Sequence, residues 1–315
     1  MKYLTENFNL YLFAIILLII NIILIISSSY GIADFNQILS FEDDEAKLTG
    51  WILNNIKNKN LEHLNDFNYG YLYETLNVFL GILLEKLNIT QNFTQIAFTG
   101  RILSILFFNL SLIIIYKTLI FLNINKIIII IFLSILLFNI DLIYWGHKVH
   151  PDLLQFFLLA LTAYYLLKVK ELKDYYIVTF FCSLAFSVKY GGLFYIPFIF
   201  LHFIIYSMKS RIKYNEIIKL IIFNLIIFLV IFYLTNPYQL ILFKKSMAFF
   251  YNNFKFTSGS SGIDLEITAE WFRIYLKNFG TFGISFILFG IVGFLFYFYN
   301  KSLEIYSSLK SRDIN

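Results

Sequence analysis

A single cysteine, Cys182, serves the whole 315-residue chain, so no intrachain disulfide and no thiolate-built metal site can form. Charge is scarce as well: Asp, Glu, Lys and Arg make up 14% of the residues, against about 25% in soluble domains. That shortage, with 59% hydrophobic residues and a mean hydropathy of +0.73, excludes an ordinary soluble globule and points to a polytopic membrane protein. Proline occurs only at Pro151, Pro197 and Pro237, which leaves little material for the interrupted helices of secondary transporters. No internal repeat is present. Ionisable residues avoid the middle of every apolar run: Lys117, Asp141 and Lys219 fall near run ends, and His202 is the one imidazole inside a run. Ion-coupled carriers and pumps need such groups at membrane depth, so a transporter is disfavoured. The net charge of +5 sits in the loops and calls for no nucleic acid.

What the chain does have is apolar runs. A membrane-crossing helix takes about 20 apolar residues, and the sequence offers 8–28, 102–122, 127–143, 152–168, 175–189, 192–208, 217–235 and 280–299. The first lacks the small-residue cleavage site of a removed signal peptide and reads as a signal anchor. The stretch 71–87 is also apolar but carries Glu74, Glu85 and Lys86. Basic residues decide its placement. If 71–87 lies along the surface, then Lys117 and Lys126, Lys168 to Lys173, Lys209 to Lys219, and Lys301 to Arg312 all join Lys2 on the cytoplasmic side. The short outer turns then keep only Lys148 and Lys189. The expectation is an all-α bundle of about eight spans, with both termini cytoplasmic and 71–87 an interfacial helix. The whole of 1–315 forms one transmembrane domain in this reading.

Three segments face outward in that arrangement: 29–100, the turn 144–151, and 236–279. The first and third are far longer than ordinary connections, and such loops are usually functional. In the first, Glu42, Asp43, Asp44 and Glu45 stand in a row ahead of an amphipathic stretch at 46–57. Each carboxylate raises the cost of ionising the next, so crowding them implies a chemical task. The third contains a Gly/Ser-rich run at 257–262, flexible by composition. Polar residues also gather at the outer ends of the spans: Arg101; His147, Lys148, His150 and Asp152; Lys189, Tyr190, Gly191 and Gly192; and Asn236, Pro237 and Tyr238. The work is expected at the outer face.

These pieces, in this order, resemble the integral-membrane glycosyltransferases of the GT-C fold, in the branch related to protein O-mannosyltransferases and to lipid A aminoarabinose transferases. Asp44-Glu45 after the first span resembles the family's Asp-Glu pair in the first outer loop. Asn68-Tyr69-Gly70-Tyr71-Leu72-Tyr73 stands where members start a juxtamembrane helix, with Gly70 in place of the usual prolines. Gly100-Arg101-Ile102-Leu103-Ser104 resembles the opening of the second span; His150-Pro151-Asp152, Ser187-Val188-Lys189-Tyr190-Gly191-Gly192 and Asn236-Pro237 follow. Members are longer and carry more spans, so the resemblance implies a C-terminally truncated chain.

The resemblance implies transfer of a sugar from a polyprenyl-phosphate donor to a glycan, lipid or protein acceptor at the outer membrane surface, with inversion at the anomeric carbon. Asp44 is the expected general base, Asp43 the next candidate and Glu45 an assistant. Arg101, Lys189 and His150 are expected on the donor phosphate, and Asp152, His147, Tyr69 and Tyr190 on the substrate. No cofactor is implied; a divalent cation shared by Asp44 and Asp152 is the variant reading. The isoprenoid tail is expected between the sixth span and the interfacial helix. A non-catalytic scaffold or lipid-glycan carrier is the competing function, and it expects the acidic cluster and the basic span ends to lie far apart. An inactive fragment is a third possibility.

Overall fold

The computed structural model describes residues 2–32, 36, 38–39, 43–61, 70–89, 91–139, 143–144, 146–210, 212–248 and 251. The expected span 280–299, the run 257–262 and Tyr69 lie outside them, as does the side chain of Asp43. Among the described residues all regular structure is helical: α1 (Lys2–Ser28), α2 (Asp43–Asn58), α3 (Leu72–Lys86), α4 (Phe93–Phe121), α5 (Lys126–Leu137), α6 (Asp152–Leu167), α7 (Asp174–Val188), α8 (Ile196–Ser210), α9 (Tyr214–Thr235) and α10 (Pro237–Ile241), with a 3₁₀ segment at Tyr190–Tyr195. Met1–Met208 with Ile212–Ile241 form one compact unit, and Lys209–Arg211 with Leu242–Asn315 a second. The site described below belongs to the first.

Local chemistry sets several helix ends. Asn92 accepts from the Gln95 amide at 2.9 Å while Gln95 Oε1 accepts from the Asn92 amide at 3.1 Å, a reciprocal cap that starts α4. Asn125 caps α5 through the Ile127 amide. Pro151 lies just ahead of α6, where its missing N–H costs nothing.

α4 and α9 are long and apolar enough to cross a membrane. Only 11% of the most apolar window of α9 is buried, and Ile221, Ile222, Phe223, Leu225, Ile226, Leu229 and Val230 are exposed. Exposed apolar faces of this size need a non-aqueous surrounding. Polar side chains turn inward instead. Asn21 of α1 and Asn109 of α4 exchange amide hydrogen bonds at 3.0 and 2.7 Å. Thr179 of α7 donates to Asn224 of α9 at 2.7 Å. Polar contacts of this kind join helices where burial of apolar surface gives no preference for helix over lipid.

Two sets of contacts mark the two ends of the bundle. At one, the backbone after α1, Arg101 of α4, Lys148 ahead of α6, Lys189 after α7 and Asn236 after α9 are linked by the bonds detailed below. At the other, the Lys168 ammonium sits over the rings of Phe121 and Tyr164, 5.5 and 4.4 Å from their centroids, and the Tyr206 hydroxyl donates to the Lys170 carbonyl. α4, α6 and α8 therefore run from the first end to the second, and α7 and α9 run back.

α3 does not join this alternation. It is about 22 Å long at 1.5 Å per residue, yet both its ends touch the same end of the bundle. Gly70 and Tyr71, ahead of it, bond to Val188 and Asn236. Leu84 and Ile89, at its far end, line a cavity with Ser29, Tyr30 and Gly31 after α1. α3 lies across the bundle end. α2 packs beside it, burying Ala46, Leu48, Thr49, Ile52, Asn55 and Ile56 at helical spacing while Lys47, Asn54 and Lys57 stay exposed.

Candidate functional site

Glu45, in the first turn of α2, is fully buried and organises the cluster. Its two oxygens accept from Arg101 Nε at 2.7 Å and Nη2 at 2.9 Å, a bidentate fork. Oε1 also accepts from the Val149 amide at 2.8 Å, and Oε2 lies 3.5 Å from Lys148 Nζ. Arg101 Nη1 donates to the carbonyls of Ser28 at 3.2 Å and Tyr30 at 2.8 Å, which pins the chain leaving α1. One buried carboxylate thus faces two cations, Arg101 and Lys148, in a region almost without solvent. Asp44 precedes Glu45 on the same helix, turned about 100° from it, and is half-buried.

Three residues beyond Val149, Asp152 begins a second pairing. Its Oδ1 accepts from Lys189 Nζ at 2.6 Å, and its Oδ2 lies 3.2 Å from His150 Nδ1. Gln155, one turn on, donates to the Lys189 carbonyl at 2.6 Å, so α6 holds the end of α7 by side chain and backbone together. Tyr190 opens the 3₁₀ segment, and its hydroxyl accepts from Gln239 of α10 at 2.6 Å.

The surface helix is locked to the same place. Asn236 Nδ2 donates to the Phe232 carbonyl, which leaves Oδ1 facing the Tyr71 amide at 2.6 Å. Gly70 donates to Val188 at 3.0 Å, and a Cβ there would stand 1.8 Å from the Ser187 carbonyl oxygen. Only glycine allows that approach. Tyr73 lies within hydrogen-bond reach of Ser104 Oγ at 3.0 Å, and Ser104 donates to the Lys148 carbonyl at 2.7 Å. Glu74 follows at 3% exposure with Oε2 unpartnered, and burial pushes its carboxyl up to about 8.

A cavity of about 680 Å³ opens beside this network. Arg101, His147, Lys148 and Tyr144 line it on one side, and Ile23 and Ile26 of α1 on another. His147 Nδ1 lies 2.7 Å from the Ile143 carbonyl, which can only accept. The neutral ring therefore carries its proton on Nδ1 and offers Nε2 as an acceptor. Burial holds the imidazole below its usual pKa, with the nearby cations adding to the effect. A second cavity of about 670 Å³ shares Ser29, Tyr30 and Gly31 with the first, and among the described residues its lining carries no charge.

Of the residues singled out from the sequence, Glu45 meets Arg101, and Asp152 meets Lys189 and His150; His147 lines the cavity with Arg101, and Tyr190 stands beside Gln239. Among the described residues no three His, Cys, Asp or Glu side chains converge as a metal site. The sequence names Lys148 and Ser104 within these clusters but assigns neither a role, and Gln155 carries no signal that sets it apart from its apolar run. Comparison with family models, curated proteins and solved structures gives no match to this chain.

Proposed function

We propose that the chain is a GT-C-type glycosyltransferase that moves a sugar from a polyprenyl-phosphate donor to an acceptor at the outer membrane surface. The observation that carries this reading is the cavity of about 680 Å³, with cations at one side and the exposed Ile23 and Ile26 at the other. Such a wall suits an amphiphile with an anionic head. The scaffold reading expected acidic and basic groups far apart, whereas Glu45 lies 2.7 Å from Arg101. In the proposed arrangement about eight helices span the membrane, both termini are cytoplasmic, and the Glu45 end faces out.

The reaction is a direct displacement. The Asp44 carboxylate takes the proton of the acceptor hydroxyl, with Asp43 the alternative base. The acceptor oxygen bonds to the anomeric carbon from the face opposite the donor oxygen. The carbon–oxygen bond to phosphate breaks, and its electron pair leaves on polyprenyl phosphate. Fixed positive charge beside Arg101 stabilises the anion as it forms. Neutral His147, an acceptor at Nε2, suits a sugar hydroxyl, and the Asp152–Lys189–His150 group flanks the site along the chain.

The test is transfer by membranes carrying the chain, supplied with a panel of radiolabelled polyprenyl-phosphate sugars. At least one sugar is expected to move to an acceptor, and Asp44→Asn is expected to abolish that transfer at unchanged expression. Undiminished transfer by Asp44→Asn would remove Asp44 from the role of base. A carrier of lipid-linked glycan would bind the donors and transfer none.

A further inference from the structure

We infer that Lys148 is the residue that grips the anionic headgroup, an amphiphile's phosphate, while its apolar chain leaves the cavity over Ile23 and Ile26 of α1. The inference rests on the transferase reading for the identity of the amphiphile as the donor, and on geometry for the site.

The geometry separates the two buried cations by how fully they are engaged. A guanidinium has five N–H donors; at Arg101 both Glu45 oxygens and two backbone carbonyls are bonded to three of its nitrogens. Arg101 is thereby a positioning residue: it fixes α1's end, α2 and Glu45, and has little left for a ligand. Lys148 differs. Its side chain is 8% exposed, and its ammonium stands 3.5 Å from Glu45 Oε2, well beyond the 2.7–2.9 Å or so of a charge-assisted hydrogen bond. Its other contact is the Tyr144 ring, 5.3 Å from the centroid. An ammonium with three donors, so loosely engaged, lines the cavity beside Arg101. Lys189, by contrast, gives Asp152 a 2.6 Å bond and does not line the cavity.

The apolar wall says what the anion is attached to. Ile23 and Ile26 are 57% and 66% exposed on α1, so the cavity opens onto a face that water does not favour. Inorganic phosphate would gain nothing from that wall. A phosphate on a long hydrocarbon chain suits it, because the chain stays in apolar surroundings while the headgroup stays beside the cation.

The experiment uses the full chain in lipid nanodiscs and radiolabelled polyprenyl phosphate, with the uncharged polyprenol and inorganic phosphate as competitors. The wild type is expected to hold polyprenyl phosphate at least about tenfold more tightly than polyprenol. Lys148→Met is expected to erase that preference and Lys148→Arg to keep most of it. Should Lys148→Met fail to fold, Ile26→Trp, which fills the apolar wall, is expected to lower binding of the lipid with Glu45 and its cations intact. Equal binding of phosphate and alcohol by the wild type, an unchanged preference in Lys148→Met, or displacement by inorganic phosphate as readily as by the lipid would overturn the assignment. Tight phosphate-lipid binding with no transfer from any donor would sink the transferase reading alone. Transfer with unchanged donor KM in Lys148→Met would sink the Lys148 assignment alone.

Discussion

Glu45→Gln removes one negative charge and almost no volume, and the geometry predicts a large loss of stability. The carboxylate accepts two bonds from Arg101 and one from the Val149 amide, and among the described residues it is the one anion paired with Lys148. The amide that replaces it keeps a single acceptor oxygen and turns an NH₂ donor toward a cation. Both Arg101 and Lys148 stay buried, at 3% and 6% exposure, without a counter-charge. Removing one partner of a buried pair costs about 3–5 kcal/mol, a drop of at least a hundredfold in the folding equilibrium. Arg101→Met should cost less, because Glu45 then retains Lys148 and the Val149 amide. The double variant should cost less than the sum of the singles, since it removes one charge of each sign. Reversible unfolding of the purified chain in mixed micelles measures all three. A Glu45→Gln chain as stable as the wild type, or strictly additive singles, would refute the idea that this carboxylate holds the bundle end together.

Two further changes probe the surface helix. Gly70→Ala forces a methyl to within 1.8 Å of the Ser187 carbonyl oxygen, and overpacking against backbone costs about 1–3 kcal/mol; hydrogen exchange of the α3 amides should rise, and unchanged protection would show the contact to be yielding. Glu74 has its carboxyl raised to about 8 from 4.5, so the folded state holds the proton more tightly than the unfolded one. Stability should fall as pH rises between those values, by up to about 1.4 kcal/mol per pH unit. Glu74→Gln should flatten the slope, and a pH profile equal to that of the wild type would count against an uncompensated buried carboxyl.

Much of the helical layout was legible because long apolar runs leave few alternatives. The runs at 152–168 and 175–189 are α6 and α7 to within a residue or so. α4 begins nine residues earlier than the run 102–122, since Asn92 and Gln95 cap polar turns that hydropathy does not register. The run 127–143 shortens to α5, and 192–208 opens as a 3₁₀ segment around Gly192, whose Cβ would press on Phe186 backbone at 2.7 Å. Charge bias placed 71–87 at the surface, and α3 lies across the bundle end. Pairings were not legible. Glu45 and Arg101 are 56 residues apart and Glu45 and Val149 are 104 apart, and no periodicity relates them. A run of four acids does not say which one turns inward; that follows from the start of α2, which puts Glu45 on the same face as Thr49 and Ile52.

Sidedness is the most direct test of the account. Cys182 is the only cysteine, so Cys182→Ala gives a thiol-free chain into which Lys57→Cys, Asn88→Cys and Lys170→Cys can be placed one at a time, each at an exposed position. A membrane-impermeant maleimide applied to intact cells should label positions 57 and 88, and reach position 170 only after lysis. Labelling of 57 and 88 from opposite sides, or of 170 from outside, would contradict a catalytic end that faces away from the cytoplasm.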